Sequence, residues 1–164
     1  MNATSGNGTQ DGATDQAAQT VFQIEKLYVK DLSLEVPNAP QVFMQTESPQ
    51  LEIQVRNESA QFADGLYEVA VTVTVTARAG EKTCFLAEVA QAGIFTARGI
   101  AAADLEALLA IGCPTILYPY AREAISDLVT RAGFPPVLLQ PVSFEQMYLQ
   151  RQQGAGAARA DTAQ

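Results

Sequence analysis

Asp31 and Glu35 share one side of the alternating stretch "KDLSLEVPNAP" (residues 30–40), and Leu86 and Glu88 share one side of "FLAEVAQAGIF" (residues 85–95). Carboxylates so gathered are the groups in this chain most able to do chemistry, because a pair can act as general acid and general base when an enclosed site drives their pKa values apart. Here Leu32, Leu34 and Val36 take the opposite side from Asp31, Ser33 and Glu35, and threonine-rich sequence lies nearby, so the carboxylates read as solvated rather than enclosed. The chain contains no histidine, which removes every Ser–His and Cys–His nucleophile pair. Cys84 and Cys113 lack CxxC spacing and read as buried free thiols, not as metal ligands. No P-loop is present, and Gly6, Gly8 and Gly12 follow no predicted strand. No catalytic residue, metal or cofactor is therefore expected, and the chain does not read as an enzyme.

Charge narrows the partners. Ten Lys and Arg against 18 Asp and Glu give a formal net charge of −8, which repels phosphates and argues against nucleic acid and anionic membrane surfaces. The most apolar stretch, "ALLAIGCPTILYPY", is interrupted by Gly112, Pro114 and Pro119, so no membrane insertion is expected. The first residues, "MNATSGNGTQDGATDQAAQ", have neither a basic n-region nor an apolar core, and the expected location is the cytoplasm.

At 164 residues the chain is long enough for one domain with its own core. Residues 1–20 and 153–164 hold little to bury and read as disordered tails around a domain at 21–152. Four strands are predicted. "TVFQIEKLYVKDLSLEV" shifts the parity of its apolar positions between Ile24 and Leu27 and again before Leu32, which predicts a bulge or bend. "QLEIQVRN" and "LYEVAVTVTVTARAG" alternate cleanly, and the short "AGE" turn joins the latter to "KTCFLAEVAQAGIF" as an antiparallel hairpin. Helices follow: "LEALLAIG" capped by Asp104 and stopped at Gly112, "YPYAREAISDLVTRAG" with Pro119 in its first turn, and a short final "SFEQMYLQRQQ" after the extended "FPPVLLQPV". Strands first and helices second predict an α+β fold, a four-stranded antiparallel sheet with helices packed on one face.

Two surfaces need an explanation. If the first and fourth strands pair, an exposed Leu86 sits among Asp31, Glu35 and Glu88; this is either an ordinary solvated face or a docking surface for a basic partner with one apolar anchor. Apolar positions also exceed what one helix layer covers: Leu51, Ile53 and Val55, then Phe95, then Val137, Leu138 and Leu139. Oligomerisation and a groove for extended apolar peptide both account for them, and the two are compatible.

"KDLSLEVPNAP", "FLAEVAQAGIF", "CPTILYPYARE" and "GFPPVLLQPVSF" together resemble the SecB family of bacterial protein-export chaperones, in order, from Val21 to Gln152. The resemblance implies a homotetramer arranged as a dimer of dimers, which binds unfolded precursor proteins and passes them to the SecA ATPase. It places SecA contacts at Asp31, Glu35, Leu86 and Glu88, facing a basic zinc-binding segment whose zinc belongs to SecA. It places tetramer assembly at Ala87, Val89 and Gln91, although the family often has cysteine where Ala87 stands. The client groove is assigned to the surplus apolar positions, Leu51, Ile53, Val55, Phe95, Val137, Leu138 and Leu139. A related branch guards antitoxins of toxin–antitoxin systems and is the alternative function.

Overall fold

The computed structural model describes residues 19–161. Strands β1 (Val21–Glu35), β2 (Gln50–Ala63), β3 (Leu66–Ala79) and β4 (Lys82–Arg98) form one antiparallel sheet in the order β1-β4-β3-β2. A 3-10 turn (Gln41–Met44) lies between β1 and β2. After β4 come α1 (Ala102–Ala107), a π-helical turn (Leu108–Gly112), α2 (Cys113–Arg131) and α3 (Phe144–Asp161). The α+β expectation holds. Of the expected N-terminal tail, only Gln19 and Thr20 fall within the described residues.

Parity builds the sheet. Along β3 the residues Val69, Val71, Val73, Val75 and Ala77 are all 0% exposed, and they register with Gly93, Gln91, Val89, Ala87 and Phe85 of β4 on the same face. The β3–β4 hairpin turns at Gly80, whose φ of 59° lies in the left-handed region that side chains rarely adopt. β1 carries two irregularities, between Ile24 and Lys26 and between Val29 and Asp31. Each inserts one residue, so Ile24, Leu27, Val29 and Leu32 all register with helix-side positions of β4 (Phe95, Gly93, Gln91 and Val89) despite their mismatched spacing in sequence.

α2 roofs β3 and β4 with Leu117, Ala121, Ile125 and Val129, each fully buried. Truncating one of the larger of these to alanine costs about 2–5 kcal/mol. The connector after α2 is pinned by the Tyr118 hydroxyl, which donates to the Gln140 carbonyl at 2.6 Å. Val137 and Leu139 insert into the core, and Cys84 and Cys113 are buried and unpaired.

The helical half departs from the sequence expectation at three places. Ala101, not Asp104, is the N-cap of α1, and Asp104 lies in the first turn, where a carboxylate favours the helix dipole. Gly112 does not end the helix; the chain widens into the π-turn and continues, with Pro114 in the first turn of α2 and Pro119 inside it. Pro114 has no N–H to give the Ala110 carbonyl, and Asn57 Nδ2 of β2 donates there instead, at 3.1 Å. α3 runs to Asp161, past the expected tail boundary at residue 153, because the alanines after Gly154 are strong helix formers.

Candidate functional site

The face of the sheet away from the helices is built by the even positions of β4. Glu35 lies opposite Leu86, Ser33 opposite Glu88 and Asp31 opposite Ala90, while Thr76, Thr74 and Thr72 of β3 flank the same three residues from the other side. Asp31, Glu35, Leu86 and Glu88 therefore converge on one surface. Asp31 and Glu35 are exposed; Leu86 and Glu88 are half-buried. From the Lys26–Ile94 pair to the Glu35–Leu86 pair this face carries Asp31, Glu35, Glu52, Glu58, Glu68 and Glu88 against Lys26, Lys30 and Arg56.

The charge is not spread evenly. At one end the Tyr28 hydroxyl and Lys30 Nζ both donate to Glu68, the latter at 2.7 Å, bridging over Ala92, which is 0% exposed. The Lys30 ammonium, and then the Tyr28 hydroxyl, hold the Glu68 carboxyl below its ordinary range. Burial, and then the bond to Glu68, pushes the Tyr28 phenol up to about 12. That end of the face largely satisfies itself. At the other end Asp31 and Glu35 have no ion pair among the described residues, and Glu88 has only a long contact with Arg56 at 3.9 Å. The unpaired Asp31 and Glu35 and the loosely paired Glu88 thus surround Leu86, and no acid–base pair is enclosed among the described residues.

The helix-side face holds the other predicted residues. Ala87 and Val89 are 0% exposed and Gln91 is 4% exposed, all on the face that α2 covers. Beside them on β1, Leu32 pairs with Val89 and Val29 pairs with Gln91, and both of these β1 residues are about half exposed, at 48% and 49%. With Phe22 and Ile24, also exposed, they form an apolar strip at the sheet edge that the helices do not reach. The sequence reading does not single out this strip, because which side of the edge strand the helices leave uncovered is set by tertiary packing.

At the opposite edge, β2 places Leu51, Ile53 and Val55 on the helix-side face, with Leu51 and Ile53 each 45% exposed. Leu51 and Val137 line a cavity of about 380 Å³ together with Val42, Phe43, Phe85 and Phe134. Its walls are aromatic: Phe134 lies 5.2 Å from Phe43 and 4.9 Å from Phe85, centroid to centroid. Those three phenylalanines come from the 3-10 turn, β4 and the connector, and only the "FPP" run signalled one of them. Leu138 is exposed on the connector, while Val137 and Leu139 point inward. Phe95 does not face this cavity. It is 0% exposed, stacked against Phe22 at 5.9 Å with the rings 8° from parallel, so this apolar position is covered by a β1 side chain.

The sheet thus presents an acidic open face on one side and an apolar groove on the other, two surfaces of the kind that hold other polypeptides. The family model for "Preprotein translocase subunit SecB" matches residues 15–155. Protein-export protein SecB of Methylobacillus flagellatus is 54% identical over 153 residues, covering 93% of this chain and 98% of its own. That of Dechloromonas aromatica is 58% identical over 147 residues, covering 90% and 97%. A SecB-like chaperone of Mycobacterium tuberculosis, solved in complex with an antitoxin peptide, shares the fold with a TM-score of 0.61 at 20% identity, covering 74% of this chain and 90% of that one. The chain belongs to the SecB family of protein-export chaperones.

Proposed function

We propose that this chain is the subunit of a cytoplasmic homotetramer, a dimer of dimers, which captures unfolded precursor proteins and delivers them to SecA. The observation that carries this reading is the separation of two unlike surfaces across one sheet, with unpaired Asp31 and Glu35 and the loosely paired Glu88 around Leu86 on the open face. A basic zinc-binding segment of SecA is attracted by that charge and anchored on that leucine. Clients bind on the other side as extended chains, with Leu51, Ile53, Val55, Val137 and Leu138 and the Phe43–Phe85–Phe134 cavity taking apolar side chains. Each apolar segment contributes modestly, at about 25 cal/mol per Å² before ordering costs, and several segments on one assembly raise the apparent affinity through effective concentration. Assembly is supported by the apolar strip of Phe22, Ile24, Val29 and Leu32 beside Val89 and Gln91.

The test joins light scattering with titration by the zinc-loaded C-terminal peptide of SecA at low and moderate salt. A tetramer that binds in a salt-sensitive way is the expected outcome. A tetramer that ignores the peptide, with capture dominated by one small antitoxin, would move the function to the antitoxin-guarding branch. A monomer would remove the proposed assembly.

A further inference from the structure

Glu88 differs from its neighbours Asp31 and Glu35 in being held. Thr74, its direct cross-strand partner, donates from Oγ1 to Glu88 Oε2 at 2.7 Å. The other oxygen, Oε1, faces Arg56 Nη2 at 3.9 Å. The two ends of this ion pair are unequal: the Arg56 side chain is 71% exposed and that of Glu88 only 31%. Arg56 reaches across β3 from the edge strand, and its β3 neighbour Thr72 is only 5% exposed although it lies on the open face. Among the described residues, Glu88 is the one member of the Asp31, Glu35 and Glu88 group with a cation of this chain within 4 Å.

We propose that Arg56 is a built-in counter-ion of the docking face, which a cationic partner must displace from Glu88, and that Thr74 is the positioning residue that keeps Glu88 aimed outward when Arg56 leaves. The inference rests on the reading of the open face as the site for a basic partner. The anion is fixed by a hydrogen bond across the strands, whereas the cation is a long, solvated side chain at a distance beyond good hydrogen bonding. An incoming ammonium or guanidinium that reaches Glu88 at 2.7–2.9 Å replaces a weak contact by a charge-assisted bond. Arg56 thereby lowers the affinity of the face for every cation, and lowers it least for a partner that can also cover Leu86.

The experiment uses the full chain and the zinc-loaded peptide of the titration above, at about 0.05 M and 0.5 M salt. Removing the cation in Arg56→Gln is expected to tighten binding about two- to five-fold at low salt, the range of an exposed ion pair, and to have little effect at high salt. In a Glu88→Gln background the same change is expected to do nothing, since the counter-ion then has no anion to release. Lys26→Gln removes an equal charge from the far end of the same face and reports the long-range field alone. Thr74→Val is expected to weaken binding several-fold with an unchanged melting temperature, and Thr74→Ser, which retains the hydroxyl, to restore it. If the parent chain shows no salt-sensitive binding, the reading of the acidic face fails and this inference with it. If the parent binds and Glu88→Gln weakens it, but Arg56→Gln matches Lys26→Gln or keeps its full effect without Glu88, the face stands and the counter-ion is overturned.

Discussion

Asn57 is the residue whose loss should tell most about how this fold is held together. Its Nδ2 donates to the Ala110 carbonyl at 3.1 Å, the acceptor that Pro114 leaves without its helical N–H, and its Oδ1 accepts from Arg151 of α3. One half-buried carboxamide on the edge strand thus serves the π-turn and the final helix together. Asn57→Leu keeps the bulk, strips both bonds and leaves a part-buried carbonyl unsatisfied. An unsatisfied buried group costs about 1–3 kcal/mol, and the part-exposed setting puts the expected loss at about 1–2 kcal/mol. In a domain of this size that lowers the melting temperature by about 2–8 °C at fixed protein concentration. Asn57→Asp separates the two halves, because it retains the acceptor for Arg151 and removes the donor to Ala110. Arg151→Ala removes only the exposed half and should cost less than about 1 kcal/mol. Urea denaturation gives the free energies, and amide hydrogen exchange at 108–115 gives the locus. If Asn57→Leu leaves both the urea midpoint and exchange in the π-turn unchanged, the helix tolerates Pro114 without outside help, and the account of the π-turn is wrong.

Glu88→Lys should abolish salt-sensitive peptide binding while leaving the urea midpoint nearly unchanged, since the side chain stands on the open face; loss of folding would place Glu88 in the structural framework instead. Phe134→Ala removes the ring that joins Phe43 and Phe85, and should cut capture of an unfolded client several-fold while leaving peptide binding on the open face intact, read by client-refolding kinetics and by the titration. Burial pushes the Cys113 thiol up to about 12, so iodoacetamide at pH 8 should label it only after unfolding; rapid labelling of the native chain would contradict its packing. Tyr28 has a folded pKa of about 12 against an unfolded value of 10.0, so the folded chain retains a proton that the unfolded chain releases between these values. Stability should therefore fall with rising pH across about 10 to 12, and Tyr28→Phe should flatten that slope; an unchanged slope would refute the assignment.

The strands were legible because alternation is a local signal. Val69, Val71, Val73 and Val75 against Thr72, Thr74 and Thr76 specify a half-covered strand without knowledge of its neighbours, and the parity jumps around Glu25 and Lys30 were readable as bulges for the same reason. The helical half was less so. Gly112, Pro114 and Pro119 read locally as breaks, and what carries the helix through them is tertiary: Asn57 from a strand more than fifty residues earlier, and a buried stripe from Cys113 to Val129 packed on the sheet. Of the site, the acidic side was legible because four residues on two strands needed only the assumption that β1 and β4 pair. The groove was legible only in part. Leu51 and Val137 reach the cavity, but Phe43, Phe85 and Phe134 meet there through three separate elements, and Phe95 stacks instead on Phe22 of β1, a partner distant in sequence.

One strand thus supplies two independent surfaces, and this has a measurable consequence. Successive residues of β4 alternate between the open face (Leu86, Glu88) and the covered one (Ala87, Val89, Gln91), so a change at one parity does not touch the packing at the other. Client capture and partner docking should then be energetically separable within a subunit, even though Glu88 and Val89 are adjacent in sequence. A cycle of Glu88→Lys on the open face and Leu51→Ser at the groove tests this. The two changes stand on opposite faces of different strands and share no side-chain partner, so their effects on client affinity and on peptide affinity should add within about 0.5 kcal/mol. A coupling of 1 kcal/mol or more would mean that occupancy of the groove is transmitted through the sheet to the acidic face. In that case the handover of a client would be driven by a change within the subunit rather than by competition for the client outside it.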